Sequence, residues 1–355
     1  MKKIIHISIG TIIVLIGLLL AYLAYLSLTY YRQPNLKLTP YNQQHTQLTT
    51  NTPYRIATYN IGYASYSPEY SFFMDGGKYS VAFSQEDVLT NLHGIVSTLK
   101  NLKLDFACLQ EIDQEATRSY YQNQIDYVTK KLPDFTYTYG QNYDSPYLFY
   151  PFKKPIGRAK SGLLTLSKGN IQQAKRVQLP IETSFNKFFD LDRAFTISDI
   201  PVQTGKTLSL INVHLSAFTK DKSVQAAQLK TLFRYMASAY QQGNYVLVCG
   251  DYNHDVLGNS ADIFGKSKTP LTWTKPFPKQ DLPQHFNLAT QNLAQKKIPS
   301  VRNLNEAYQP GKTFVSLVDG FIISDNIQVD QLSVKQTNFN YSDHNPVVMR
   351  FQLLP

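Results

Sequence analysis

The sequence predicts an α+β domain, with sheets inside and helices outside, behind one N-terminal membrane-spanning helix. Three observations lead there. An uncharged, largely apolar run fills positions 4–31, between Lys3 and Arg32. Beyond residue 54, apolar runs of strand length outnumber helix-period patterns. No composition break then divides the chain, and a layered β-rich domain can exceed about 200 residues as one unit.

The N-terminal run comes first. At about 1.5 Å per residue, a helix over positions 4–28 crosses a hydrocarbon core of about 30 Å. Tyr22, Tyr25, Tyr30 and Tyr31 thicken its outer end, as interface aromatics do. Lys2 and Lys3 precede the span and Arg32 follows it. The positive-inside bias then leaves the N-terminus in the cytoplasm and the bulk of the chain outside a cell membrane crossed once. The rival is a cleaved secretory signal, for which the run is long and Ala21, Ala24 and Ser27 give a weak cleavage pattern. Residues 33–53 are polar, bounded by prolines and without period. They are expected as a linker that lifts the domain off the membrane. The division is therefore an anchor over 1–32, a linker over 33–53 and a folded domain over 54–355.

Strands are expected near 55–59, 105–109, 162–166, 194–200, 208–213, 245–249, 316–323 and 346–353. One helix is announced by Ser84 and Asp87, which resemble a capping box, followed by Val88, Leu92, Ile95, Val96 and Leu99 on one face. A second carries Leu229, Leu232, Phe233, Met236 and Tyr240 on one face and stops at Gly243-Asn244. Two long aromatic stretches, 61–83 and 137–152, are expected as loops that pack on each other or rim a site.

Composition removes several classes. Charged residues are 17% and hydrophobic residues 43%, which excludes a disordered polyelectrolyte. No G-X-Y period, heptad run or solenoid repeat is present, excluding collagen, coiled coil and repeat arrays. Two cysteines build neither a disulfide scaffold nor a four-thiolate zinc site. Cys108 and Cys249 lie in apolar runs and are expected as buried free thiols. The net charge is +10, and beyond residue 32 the chain carries 32 basic and 25 acidic side chains. That surplus favours an anionic partner: nucleic acid, a phospholipid headgroup or a cell-wall polyanion.

Polar clusters stand at the ends of apolar runs. Tyr59-Asn60 follows RIAT, Gln110-Glu111 follows DFACL, Asn212-Val213-His214 follows LSLI, and Gly250-Asp251-Tyr252-Asn253 follows YVLVC. Val318-Asp319-Gly320 and Ser342-Asp343-His344-Asn345 come near the end. Strand ends are where a rigid sheet presents polar groups to a ligand. If they converge, they form an oxygen-rich site with two histidines, which suits Mg²⁺ or Mn²⁺ better than structural zinc. Taken singly, each is an ordinary turn former or a satisfied strand histidine; the recurrence of one layout six times overturns that reading.

In this order, TYN, LQE, NVHLSA, GDYN, VDGFIIS and SDHNPV resemble the endonuclease/exonuclease/phosphatase superfamily over about residues 54–355. The resemblance implies a four-layered α/β sandwich, two packed sheets flanked by helices. It implies that Glu111 is the main metal ligand, that Asn60 completes the metal and phosphate site, and that Asp343 lies at the metal. Asp251 would position and deprotonate the attacking water, His214 and Asn253 would hold phosphate oxygens, and Asp319 would orient His344. Arg118 and Arg158 are further candidates to reach substrate phosphate, and Asn142 and Tyr147 to line the pocket. His254 is expected to serve its own loop.

The expected function is that of an extracytoplasmic, membrane-anchored phosphodiesterase or nuclease, acting as a monomer with Mg²⁺ or Mn²⁺. Alternatives on the same site are a sphingomyelinase-like phospholipase and a sugar or inositol phosphatase. A surface-binding module without catalysis is disfavoured, because every motif position keeps a chemically competent residue. Against a lipid substrate stand the spacer and the lack of an evident run of exposed aliphatic residues.

Overall fold

The computed structural model describes residues 2–217, 222–265 and 274–355. Two sheets form the centre of the domain. The first has seven strands, in the order Leu36–Leu38, Gln173–Gln178, Ala194–Pro201, Thr207–His214, Tyr245–Asp251, Asp319–Ser324 and Phe286–Ala289. The second has six: Ile327–Val334, Val347–Leu353, Tyr54–Asn60, Phe106–Ala116, Ala159–Ser167 and Thr136–Asp144. Side chains such as Ile56, Phe106 and Phe351 from one sheet and Leu210, Val248 and Phe321 from the other share one buried cluster. Helix Gln85–Asn101 covers the outer face of the six-stranded sheet through Val88, Leu92, Ile95, Val96 and Leu99. Helix Lys222–Gln241 covers the other sheet with Leu229, Leu232, Phe233 and Met236. The result is the expected four layers.

Most pairings are antiparallel, but each sheet contains one parallel pair. Tyr54–Asn60 runs parallel to Phe106–Ala116, and Thr207–His214 runs parallel to Tyr245–Asp251. Parallel neighbours need a crossover, which the two covering helices supply. Parallel pairing also brings the C-terminal ends of both strands to the same sheet edge. Asn60 accordingly registers with Gln110, and His214 with Asp251. Asp319 begins an antiparallel neighbour and so registers with Asp251 from the other side.

Local signals behave as expected at the helix ends. The Ser84 hydroxyl accepts from the Asp87 backbone N–H at 3.0 Å and donates to the Asp87 carboxylate at 2.8 Å. Gly243 closes the second helix at φ +85°, its N–H donating to the Tyr240 carbonyl at 2.8 Å. Cys108 and Cys249 are buried free thiols. Gln110 and Asn212 are spent between the sheets: the Gln110 amide donates to Asn212 Oδ1 at 2.7 Å, and Asn212 Nδ2 donates to the Leu109 and Leu164 carbonyls.

Three expectations need correction. The 137–152 stretch is not all loop, because Thr136–Asp144 alternates buried and half-buried residues as a strand. The run expected at 316–323 divides into Val315–Ser316, paired with Val301–Arg302, and Asp319–Ser324. The 33–53 segment is not a spacer. Leu36–Leu38 pairs with Gln173–Gln178 as an edge strand, and buried Arg176 donates to the Gln33 and Pro34 carbonyls. Leu48 is only 2% exposed and bridges to Val202. The segment covers a sheet edge that would otherwise show unpaired backbone groups.

The apolar helix spans Lys2–Thr29. It is long and apolar enough to cross a membrane, and none of its apolar window is buried. Its last turns nevertheless touch the domain: Leu26 is fully buried, in a cluster with Leu148, Phe188 and Ile156. Tyr30 donates to the Asp192 carboxylate at 2.6 Å, and Arg32 donates to the Asp192 and Leu179 carbonyls.

Two stability predictions follow from these contacts. A Cβ on Gly250 would lie 1.9 Å from the Val213 carbonyl oxygen. Gly250→Ala should therefore force the parallel pair apart and cost at least the ~1–3 kcal/mol of an overpacked core, read by thermal or urea melting. A fragment of residues 33–355 should melt above one of residues 54–355, because the shorter piece loses the edge strand and Leu48; equal melting would show the segment to be unimportant for stability.

Candidate active site

The strand ends meet at the base of one cleft of about 630 Å³. Glu111, His214, Asp251, Asn253, Asp343 and His344 all line it. Asn60 and Asp319 sit directly behind. Asn60 donates to Asp251 Oδ2 at 3.0 Å, and the Asn253 backbone N–H donates to Asp251 Oδ1 at 2.9 Å. The Asn253 amide donates to the Leu215 carbonyl at 2.8 Å.

Glu111 owes its position to a β-bulge. Pairing between Phe106–Ala116 and Ala159–Ser167 steps from Leu109 opposite Leu164 to Ile112 opposite Gly162, so Gln110 and Glu111 together face one partner residue. Glu111 adopts φ +53° there, a conformation that costs a non-glycine residue and clusters at functional positions. Gly62 matters for a related reason. It adopts φ +52°, and a Cβ there would lie 2.7 Å from Asp343 Oδ1.

The two histidines differ. His344 Nδ1 lies 2.8 Å from Asp319 Oδ2, which also accepts from the Ser300 hydroxyl at 2.7 Å. A donating Nδ1–H leaves Nε2 facing the cleft, 3.8 Å from Asp251 and 3.9 Å from Asp343. Burial disfavours a charged ring, but Asp319, Asp343 and Asp251 outweigh it and hold the pKa well above the ordinary histidine value. His214 Nε2 lies 3.7 Å from Glu111 and 3.6 Å from Asp251. Its Nδ1 is buried without a hydrogen-bond partner among the described residues. Burial, then Arg193 and His344, push its pKa well below the ordinary value, so the ring is neutral.

The carboxylates repel one another. Burial and then Asp343 push Glu111 up to about 8. Burial and then Asp319 push Asp251 up to about 6. Burial also raises Asp343. Dehydrated carboxylates crowded this way fit a hard divalent cation, which takes oxygen ligands and offsets their charge. Donor atoms of Asp251, Asp319 and His344 lie within 4.8 Å of one another. Asp319 and His344 are already joined by their own hydrogen bond, which leaves Glu111 and Asp343 as carboxylates that could hold such a cation.

Of the outer candidates, one reaches the cleft. Arg118 lines it, fixed by two bonds to Asp113 at 2.9 and 3.2 Å and stacked 3.2 Å over the Tyr63 ring. Asn142 is buried away from the lining, its Nδ2 without a partner among the described residues. Arg158 is surface-exposed and pairs with Asp144 at 3.3 Å. Tyr147 lies on the outer loop, where its backbone bonds to Tyr22 and Tyr25 of the apolar helix. These three do not line the cleft, in contrast to the expectation from sequence. His254 serves its own loop, its Nδ1 2.6 Å from the Tyr252 carbonyl.

Several lining residues were not singled out from the sequence, four of them with a clear part in the cleft. Tyr63 supplies the ring beneath Arg118. Arg193 donates to the Leu215 carbonyl and to Asp190. Arg302 donates to the Ser67 and Tyr70 carbonyls, tying the 61–83 insertion to the cleft. Asp75 is pushed up to about 7 by burial and by Asp343. None belongs to one of the motif clusters; Tyr63, Asp75 and Arg193 lie outside the sheet strands and Arg302 in a two-residue strand, and spacing encodes neither. The two aromatic stretches both pack together and rim the site, with Phe73 and Tyr150 rings 5.9 Å apart on the rim.

No family model and no curated protein matches the chain. Solved structures do. An endonuclease/exonuclease/phosphatase from Beutenbergia cavernae is 15% identical at a TM-score of 0.54, over 85% of this chain and 72% of that one. One from Bacteroides vulgatus is 14% identical at 0.54, over 85% of this chain and 100% of its own. ANGEL2, a 2',3'-cyclic phosphatase in complex with adenosine-2',3'-vanadate, is 13% identical at 0.57, over 90% and 99%. Together with the two helix-flanked sheets, these likenesses show that the domain has the fold of the endonuclease/exonuclease/phosphatase structures.

Proposed function

We propose that the chain is a divalent-cation-dependent phosphoric ester hydrolase that acts on phosphodiesters, nucleic acid among them. One observation carries the reading: three crowded carboxylates and two electrostatically opposite histidines line the base of one cleft. The fold likeness to a phosphatase crystallised with a vanadate ester supports it. The N-terminal helix serves as a single-pass anchor with the domain outside the cytoplasm, supported by its length, its lack of charge and its flanking basic residues.

Glu111 and Asp343 would hold Mg²⁺ or Mn²⁺, with Asn60 alongside. When bound, the cation polarises the phosphate and offsets charge that grows on its oxygens. Asp251, near neutrality in pKa and fixed by Asn60 and the Asn253 N–H, accepts the proton of the attacking water. His344, cationic and oriented by Asp319, binds a phosphate oxygen through Nε2. Neutral His214 donates from the opposite strand end, and Arg118 adds a fixed cation farther out. These groups are held in place before substrate arrives, the condition under which donors stabilise a developing oxyanion most.

Chelation should abolish hydrolysis of bis(p-nitrophenyl) phosphate, and Mg²⁺ or Mn²⁺ should restore it; activity indifferent to chelator would refute the metal role. The same carboxylates make a stability prediction. Glu111 titrates near 8 in the folded chain against 4.5 ordinarily. The folded state thus holds a proton that the unfolded chain has released. Stability without metal should fall as pH rises from about 5 to 8. Added Mg²⁺ should reverse the fall, and Glu111→Gln should lessen it, leaving the smaller share of Asp251 and Asp75, as read by thermal melting.

Losing one preorganised donor costs about 2.7–4 kcal/mol in a barrier, roughly a hundredfold to a thousandfold in rate. His214→Ala and His344→Ala should each lose at least that much turnover. Asp319→Asn should lose a comparable amount, because its ring partner is then misoriented and less cationic. Normal melting with wild-type rates in all three variants would mean that the site is misassigned.

A further inference from the structure

The apolar helix and the cleft share a wall. Leu148, Ile156 and Phe189 line the cleft and also belong to the cluster that packs around Tyr22, Leu26 and Tyr30. The contact fixes the height of the domain relative to a bilayer. A hydrocarbon core of about 30 Å takes about 20 helical residues; counted from Ile4, these end at Leu23. Tyr22 and Tyr25, which bond to Tyr147, thus lie at the boundary between chains and headgroups. The Phe149 ring lies 4.1 Å from that of Tyr22 and stacks toward Phe152 at 5.9 Å. Phe152 is 76% exposed, and Phe149, Tyr150 and Phe185 are exposed too. Lys153 and Lys154, next in the chain, are exposed. Aromatic rings beside lysines match the membrane interface, where rings sit among headgroups and cations meet anionic lipid.

We propose that the rim formed by the 147–156 loop rests on the bilayer that the helix crosses, and that the cleft takes its substrate from that leaflet: the phosphodiester of a lipid headgroup. The inference rests on the hydrolase reading above and names its substrate class. The wall nearest the helix is apolar (Leu148, Tyr150, Ile156, Phe189), so a lipid can keep its chains low while its phosphate rises to the histidines. Hydrolysis needs only water: its oxygen bonds to phosphorus, one ester P–O bond breaks, and the products are an alcohol and a phosphomonoester. The packed 33–53 segment removes the spacer that spoke against such a substrate.

The test uses the full chain in vesicles of phosphatidylcholine and phosphatidylglycerol. In a variant with Trp273→Phe and Phe152→Trp, lipids brominated in their chains should quench the new tryptophan while aqueous iodide should not. Quenching by iodide alone would overturn the seating. Hydrolysis of the vesicle lipids is then compared with that of soluble bis(p-nitrophenyl) phosphate. Phe152→Ser with Lys153→Glu should lower vesicle turnover at least about tenfold, the scale of one lost apolar insertion, and leave the soluble diester unchanged. Hydrolysis of the soluble diester but of neither vesicle lipid would overturn the substrate class and leave the hydrolase reading standing. If neither is hydrolysed, the hydrolase reading fails, and the quenching result alone decides whether the rim rests on lipid.

Discussion

Two parallel strand pairs, one in each sheet, decide where chemistry can occur in this domain. Parallel pairing aligns the C-terminal ends of neighbouring strands, and the two sheets stack with those ends on the same side. Asn60, Glu111, His214 and Asp251 are thereby held by four strands rather than by loops. Antiparallel neighbours add Asp319 at the start of one strand, and Asp343 and His344 just before another. Gly250 makes the closest approach possible, because a side chain there would strike the neighbouring backbone. A rigid scaffold of this kind can hold charged groups that repel one another, which flexible loops would relax apart.

That repulsion is the main electrostatic fact of the site. Glu111, Asp251 and Asp343 all titrate above their ordinary values, with burial as the first cause. Asp319 spends its charge on His344, leaving one histidine cationic and the other neutral. A divalent cation would offset much of this negative charge. Strain points the same way, since Glu111 is bulged out of its strand at a left-handed φ.

The strand-end residues were legible in the sequence because a strand imposes its own direction. Once 55–59, 208–213 and 245–249 read as strands, Asn60, His214 and Asp251 had to emerge at strand termini, whereas Glu111 emerges from a bulge within Phe106–Ala116. Asn142, Tyr147 and Arg158 had no such constraint. Asn142 falls in a strand that the alternating tyrosines hid, Tyr147 on the loop that meets the apolar helix, and Arg158 is exposed just before the next strand. Arg193 and Arg302 were invisible for the converse reason: a buried arginine just before a strand, or in a two-residue strand, leaves no periodic trace. Residues 33–53 misled because a three-residue edge strand has no hydrophobic run to announce it. Its place is fixed by buried Arg176, whose bonds to Gln33 and Pro34 join positions some 140 residues apart.

A packed segment in place of a spacer also changes how the anchor is understood. The helix end, the aromatic loop and the cleft wall form one continuous apolar region, so under the proposed anchoring membrane attachment and substrate access would be linked properties. The account nonetheless stands on the metal site beneath them. The most direct measurement is a crystal of the catalytic domain soaked in Mn²⁺, with anomalous difference density located. The account predicts one strong peak bounded by the carboxylates of Glu111 and Asp343, beside Asn60. No density there, or density only at Asp319 or on the surface, would contradict it.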